Sequence, residues 1–229
     1  MIYYTNEPEI KQKGAIYMAF DGTTVAAVTK ELTEQLSGGR IAKIAQPETD
    51  ELLFTIKTPQ GQKRLYISAS ASLPLIYLTN VNKPSPMNAP NFCMLLRKHI
   101  GNGRITKITQ PGLERIIQIQ IEHLDDLGDL CRKTLVVEIM GKHSNIIFCD
   151  ADGRIIDSIK HISAQMSSVR EVLPGRPYFI PDTMGKKNPL TVDADTFIFT
   201  LKEKPCPLGK AIYTSFTGIS PVIAEDICF

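Results

Sequence analysis

The sequence predicts an α+β fold in which a helix-plus-four-strand unit occurs twice, with antiparallel strands in two packed sheets. Three observations carry this expectation. Gly39-Arg40-Ile41-Ala42-Lys43-Ile44-Ala45-Gln46-Pro47 recurs as Gly103-Arg104-Ile105-Thr106-Lys107-Ile108-Thr109-Gln110-Pro111 at a constant offset of 64, differing only where two alanines become threonines. A helix-like segment precedes each copy. An alternating apolar run follows each, Leu52–Lys57 and then Ile116–Ile121. Self-similarity at a long fixed period marks a supersecondary unit that packs against its twin.

Residues 1–17 read as an extension outside the repeat, because Met18-Ala19-Phe20-Asp21-Gly22 looks like a natural beginning. Asp21 suits a helix N-cap, with Phe20 and Val25 as a hydrophobic staple. Val25, Val28, Leu32 and Leu36 share one helix face, and Gly38-Gly39 ends the helix. Strands are expected near 41–45, 52–57, 65–70 and 75–79, and Pro59-Gln60-Gly61 turns the second into the third. A stiff proline-rich connection, Lys83–Pro90, leads to a helix near 92–100 and strands near 105–109, 116–122, 134–140, 145–149 and 154–159. Leu124–Lys133 reads as an inserted loop, and its acids Asp125, Asp126 and Asp129 match no metal-loop spacing. Residues 163–189, punctuated by prolines, read as a rigid linker. Helices are expected near 193–202 and 207–216, and a further one after Ser220-Pro221 as N-cap and first helical position. The domains are therefore 18–162, with repeats 21–79 and 91–149, and a helical region from 190 to 229.

Composition narrows the function classes. The chain of 229 residues is 43% hydrophobic and 22% charged, ordinary for a globular protein, and its apolar runs are too short to span a bilayer. Glu7, Glu9, Lys11 and Lys13 interrupt any signal-peptide core, so a cytoplasmic protein is expected. Five cysteines without a C-x-x-C pair read as reduced thiols, and no metal or cofactor site is expected. Charge is more informative. Pro90–Arg115 holds five Lys/Arg and one acid, whereas the matching span Ala26–Glu51 holds three Lys/Arg and five acids. A scaffold that keeps its apolar pattern while reversing its charge points to one half facing a polyanion.

Arg97-Lys98-His99 falls in the last turn of its helix, where cations complement the helix dipole or, with Arg104 and Lys107, contact phosphates. Glu114-Arg115 follows a Pro111-Gly112 bend and, at the repeat offset, stands at the positions of Asp50-Glu51. An arginine at a bend can read a phosphate or base edge bidentately. Gly141-Lys142-His143-Ser144 lacks the spacing of a P-loop. With no nucleophile–base pair or carboxylate dyad, the residues favour a binding module over an enzyme.

Met18–Gly22, Asn91–His99, Leu113-Glu114-Arg115-Ile116, Gly141–Ile147 and Leu173–Tyr178 together resemble the N-terminal NFACT domain of the RqcH/NEMF family, often labelled fibronectin-binding protein A in Gram-positive bacteria. The resemblance runs from Met18 to Phe229. It implies a ribosome quality-control factor that binds the large subunit obstructed by peptidyl-tRNA, recruits tRNA (alanyl-tRNA in bacteria) and promotes C-terminal tailing of stalled chains. Within the family, tailing needs an aspartate near the start and an Asp-Arg pair. Asp21 matches the first, Arg115 the arginine, and Glu114 stands in place of the second aspartate. The resemblance also implies a fold like the N-domain of formamidopyrimidine-DNA glycosylases followed by the start of a helix–two-turn–helix. It implies, too, that relatives continue into a coiled coil and further domains, so that this chain is expected to be a fragment or a truncated gene product. Glycosylase chemistry would require an N-terminal proline beside a glutamate, and here Pro8-Glu9 is internal. A surface adhesin for fibronectin is the other alternative, against which the absent signal peptide argues.

Overall fold

The computed structural model describes residues 20–125, 127–182 and 185–229. The expected extension at 1–17, the Pro8-Glu9 pair, Met18-Ala19 and Asp126 lie outside the described residues.

Helix α1 (Gly22–Leu36) leads into β1 (Arg40–Ala45), β2 (Glu51–Thr58), β3 (Gly61–Ser68) and β4 (Leu75–Leu78). Helix α2 (Asn91–Ile100) leads into β5 (Arg104–Thr109), β6 (Ile116–Leu124), β7 (Leu130–Glu138), β8 (Asn145–Cys149) and β9 (Ile155–Ser158). The two packed sheets expected from the strand count are not what forms. All nine strands pair antiparallel in one sheet, in the order β4-β3-β2-β1-β5-β6-β7-β8-β9. The halves are joined at β1 and β5 by the single pair Arg40–Arg104, so the sheet can bend sharply there. It bends far enough that Lys160, beyond β9, donates to the Ala69 carbonyl beyond β3.

The repeats meet through reciprocal bonds. Ile41 N–H donates to Gly103 O and Ile105 N–H to Gly39 O, both at 2.9 Å; Gly38 N–H donates to Ile105 O at 2.8 Å and Asn102 N–H to Ile41 O at 3.0 Å. Each first strand also carries a register shift at the same place, between Ile41 and Lys43 and between Ile105 and Lys107. The helices cross over: α1 packs chiefly on β5 and α2 on β1, so each repeat's helix covers a strand of the other. One core results, in which Val25, Leu32 and Leu36 of α1 and Leu96 and Ile100 of α2 join Phe54, Ile56, Ile119, Ile121 and Phe148 from the sheet.

Two segments differ from expectation. The inserted stretch after β6 is mostly paired, because β6 and β7 stay in register out to Leu124–Leu130. The proline-rich span after β9 is folded onto the second repeat. Ile162 and Val172 exchange backbone hydrogen bonds of 2.8 and 3.0 Å, and Val172 is buried against Ile116, Val136, Ile147, Cys149 and Ile155. Its apolar residues find the sheet face opposite the main core, which composition alone does not reveal.

Helices α3 (Ala194–Lys202), α4 (Leu208–Ser215) and α5 (Pro221–Cys228) complete the chain. Asp193 and Ser220 cap α3 and α5, and Phe197 stacks on Phe216 at 4.7 Å between ring centres. Among the described residues no helix is long and apolar enough to cross a membrane, and no cluster of three or more His, Cys, Asp or Glu could hold a metal.

Candidate functional site

Three stretches far apart in sequence meet at two glycines. Gly22 opens α1, and its N–H donates to Gly218 O at 2.8 Å. A side chain on Gly22 would strike the Leu113 carbonyl and lie 2.6 Å from the Gly218 Cα. Gly218 has φ +76°, and a side chain there would strike the same carbonyl. The N-terminus of α1, the 111–115 bend and the α4–α5 turn therefore approach as closely as backbone allows.

Asp21 ties this junction together. One carboxylate oxygen caps α1, accepting from Thr24 N–H at 3.0 Å and the Thr23 hydroxyl at 2.8 Å. The other accepts from Ser220 N–H, the cap residue of α5, at 3.3 Å. Burial opposes ionisation of this group, but the bonds from Ser220, Thr24 and Thr23 outweigh it and hold the carboxyl below its ordinary range. Gln110 braces the bend, its amide donating to both Gly22 O and Glu114 O at 2.8 Å.

Around the junction lies a cleft of about 260 Å³ lined by Asp21, Leu113–Arg115, Lys186, Tyr213 and 217–221. Arg115 is exposed, and its side chain makes no hydrogen bond among the described residues. Glu114 is half-buried. Burial raises its carboxyl above the ordinary value, with Arg115 and Lys186 opposing and Asp182 reinforcing. Lys186 donates to the Tyr213 carbonyl at 2.8 Å, and its ammonium is pushed down by burial and by the Arg115 charge. It is placed by a short pairing in which Lys187 N–H donates to Ser215 O and Thr217 N–H to Lys187 O, both at 2.9 Å. The cleft thus presents two cations, Arg115 and Lys186, beside the Asp21 carboxyl, held low by its hydrogen bonds, and the Glu114 carboxyl, raised by burial. Its two cations suit a polar or anionic ligand, and among the described residues no nucleophile is hydrogen-bonded to a base there.

Of the residues singled out from sequence, Asp21, Glu114 and Arg115 converge in this cleft. Arg97, Lys98, His99, Arg104 and Lys107 do not line it. Arg97 instead donates to Ile44 O at 2.8 Å and fastens α2 to β1, and the His99 ring sits 6.0 Å from Phe148. Lys98, Arg104 and Lys107 are exposed elsewhere. Sequence reading missed Lys186, brought in by chain reversal from the linker, and Tyr213, which stands in the expected helix near 207–216 but was not marked there.

The equivalence of Arg115 with Glu51 needs correction. β6 pairs with β7 at Ile116–Glu138 as β2 pairs with β3 at Glu51–Ser68, and Ile139 N–H donates to Arg115 O as Ala69 N–H donates to Asp50 O, each at 2.8 Å. Asp50 is therefore the counterpart of Arg115. Thr49 is that of Glu114, since Gln46 bonds Thr49 O as Gln110 bonds Glu114 O. One extra residue in the bend of the second repeat shifts the offset, and it pushes this bend out to meet Gly22 and Gly218.

Residues 21–229 match the protein family described as NFACT N-terminal and middle domains. The Rqc2 homolog RqcH of Bacillus subtilis is 41% identical over 210 residues, 91% of this chain and 37% of that protein. Among solved structures, the N-terminal part of the fibronectin/fibrinogen-binding protein of Streptococcus suis superposes with a TM-score of 0.84 at 34% identity, covering 91% of this chain and 78% of that one. The N-terminal domain of fibronectin-binding protein PavA of Streptococcus pneumoniae does so at 0.83 and 32%, with the same coverage. The chain spans little more than a third of the length of the RqcH proteins it matches.

Proposed function

This chain belongs to the NFACT family, and from that membership we propose that it is the tRNA- and large-subunit-binding part of a ribosome quality-control factor that promotes C-terminal alanine tailing of stalled nascent chains. It acts in the cytoplasm on the large subunit carrying peptidyl-tRNA, as a binding module rather than a self-contained enzyme. The observation that supports this most is the convergence of Asp21, Glu114 and Arg115 in one cleft, although Asp21 lies 93 positions before Glu114. In that cleft Arg115 offers an uncommitted planar fork of donors to a phosphate or a guanine edge, and Glu114 accepts from an amine or a hydroxyl. Asp21 holds the α4–α5 turn against them.

Crosslinking the protein in cells and sequencing the attached RNA tests this reading, with tRNA and large-subunit RNA as the expected products. Arg115→Ala should cut the tRNA crosslinks by roughly 5- to 150-fold, the equivalent of about 1–3 kcal/mol for one bidentate pair, at an unchanged melting temperature. Glu114→Asp should retain them. Undiminished tRNA crosslinks in Arg115→Ala would remove the cleft from RNA recognition.

The names of the two structural relatives favour a second reading, binding of fibronectin. Titration of the purified chain with fibronectin at physiological salt tests it, and binding that vanishes between low and physiological salt would reduce it to nonspecific charge attraction.

A further inference from the structure

A second groove, of about 210 Å³, is lined by Glu138, Lys142–Asn145, Lys160, Ile162, Met166, Ser167, Arg170 and Val172. It lies at the same end of the sheet as Arg115, because Arg115 O accepts from Ile139 N–H, one residue beyond Glu138. Its floor is built from committed groups. Glu138, buried, takes both oxygens to Arg170 at 2.5 Å and accepts from the Tyr178 hydroxyl at 3.0 Å. Lys160 donates to the Ala69 and Ser144 carbonyls and so clamps the two ends of the sheet. Ser144 Oγ accepts from Met140 N–H at 2.8 Å, and Asn145 Oδ1 accepts from Ile146 N–H at 2.9 Å. These bonds hold the 3₁₀ turn Gly141–His143, in which Gly141 has φ +58°.

The rim is different. Lys142 and His143 are exposed, and their side chains make no hydrogen bond or ion pair among the described residues. The nearby acids already have partners: Glu138 the Arg170 guanidinium, Asp157 a hydrogen bond with the His161 ring at 2.6 Å, and Glu171 the Arg176 guanidinium at 2.8 Å. Ser167 Oγ accepts from Val169 and Arg170 N–H, which leaves its own hydrogen to donate. The Lys160 ammonium likewise has one hydrogen beyond its two carbonyl bonds. The groove therefore offers donors from four side chains, and Glu138, the acid that lines it, is paired with Arg170. Repeat symmetry adds to the argument. The strand register makes Ser72 and Leu73 the counterparts of Lys142 and His143, so the cations appear only in the repeat that also carries Arg115.

We propose that this groove holds a backbone phosphate of an RNA strand, with Lys142 and His143 as its direct contacts. The RNA part of the proposal rests on the functional reading above; the anion site rests on the groove alone. Glu138, Arg170 and Lys160 act as supports, and Ser167 completes the donor set. Arg115 leads into β6 and Lys142 follows β7 by four residues, so the groove and the cleft lie at the same end of the sheet.

The test uses the 229-residue chain, its Lys142→Ala/His143→Ala variant and Arg115→Ala. Each is titrated with a labelled single-stranded RNA oligonucleotide across a salt series, and the first two also with inorganic phosphate, followed by amide chemical shifts. The expected results are phosphate-induced shifts at 141–144 that vanish in the double variant, and a log–log salt slope for RNA lower in magnitude by about 0.7 for each RNA phosphate that the variant leaves unneutralised. Phosphate shifts with an unchanged RNA slope would overturn the RNA assignment and leave a site for free anions. Absence of both, while Arg115→Ala still weakens RNA binding, would overturn the groove and leave the cleft standing. Loss of RNA binding by neither variant, with phosphate shifts in the unaltered chain, would overturn the RNA assignment of the groove and of the cleft alike.

Discussion

Asp21→Ala should destabilise the fold even though the family resemblance marks Asp21 for function. Asp21 is only 6% exposed and serves α1 and α5 at once. Loss of the cap on Thr24 N–H costs about 1 kcal/mol. Loss of the acceptor for Ser220 N–H adds about 1–2 kcal/mol, because a buried donor is left unsatisfied and the acceptor removed was charged. The sum, about 2–3 kcal/mol, lowers the melting temperature by roughly 4–12 °C for a domain of this size. Asp21→Asn keeps a competent cap and loses only the charge at Ser220, so about 1 kcal/mol is expected. The sign with pH follows from the lowered carboxyl. Its contribution is fully present above the unfolded value of about 3.9 and is lost as the pH falls through the folded one. Wild type and Asp21→Ala should therefore differ by a constant amount near neutrality and converge in acid. The chain has no tryptophan, so urea unfolding is followed by far-ultraviolet circular dichroism. A loss below about 0.5 kcal/mol at pH 7, or a gap that widens in acid, would refute the two-helix clamp. If the clamp is right, lost activity in Asp21→Ala reflects a loosened cleft as well as a missing carboxylate, and only the asparagine variant separates the two.

Gly218→Ala should cost at least about 2 kcal/mol, since the residue has φ +76° and its new methyl would strike the Leu113 carbonyl; a melting temperature equal to wild type would show that the junction is loose. Glu138→Gln should cost about 3–5 kcal/mol by leaving the Arg170 guanidinium buried without its counter-charge, whereas Glu138→Leu with Arg170→Met should cost less than the single change. A double-mutant cycle by urea unfolding checks this, and additive losses would show that the pair is not coupled.

Much of the fold was legible because its signals are local. The 3.6-residue stripe of α1, the Asp21 and Ser220 caps and the alternation of β2 and β6 all depend on neighbours within a turn or a pleat, and the 64-residue repeat shows the same local signals twice. Even the one misassigned equivalence had a signal in the chain. At an offset of 64, Phe54 would correspond to Gln118 and place an amide in the core. At 65, Leu52, Phe54 and Ile56 fall on Ile117, Ile119 and Ile121, all buried in the same cluster. A slip of one residue turns every side chain to the other face, so the alternation itself reveals the extra residue in the bend.

The sequence by itself determined that two like units must pack together, which faces they bury, and that the second unit had exchanged acidic for basic residues. Only the tertiary structure decided that the strands join as one bent sheet, because a single backbone pair at Arg40 and Arg104 makes that connection. It also decided which charges share a cleft. Arg97 and Arg115 belong to the same basic stretch, yet one is spent on the Ile44 carbonyl while the other opens toward Lys186, a residue from a segment with no motif. Periodicity specifies which face a residue presents. Which distant segment that face meets is fixed by close approach, here at Gly22 and Gly218, where the absence of two side chains lets three segments share one site.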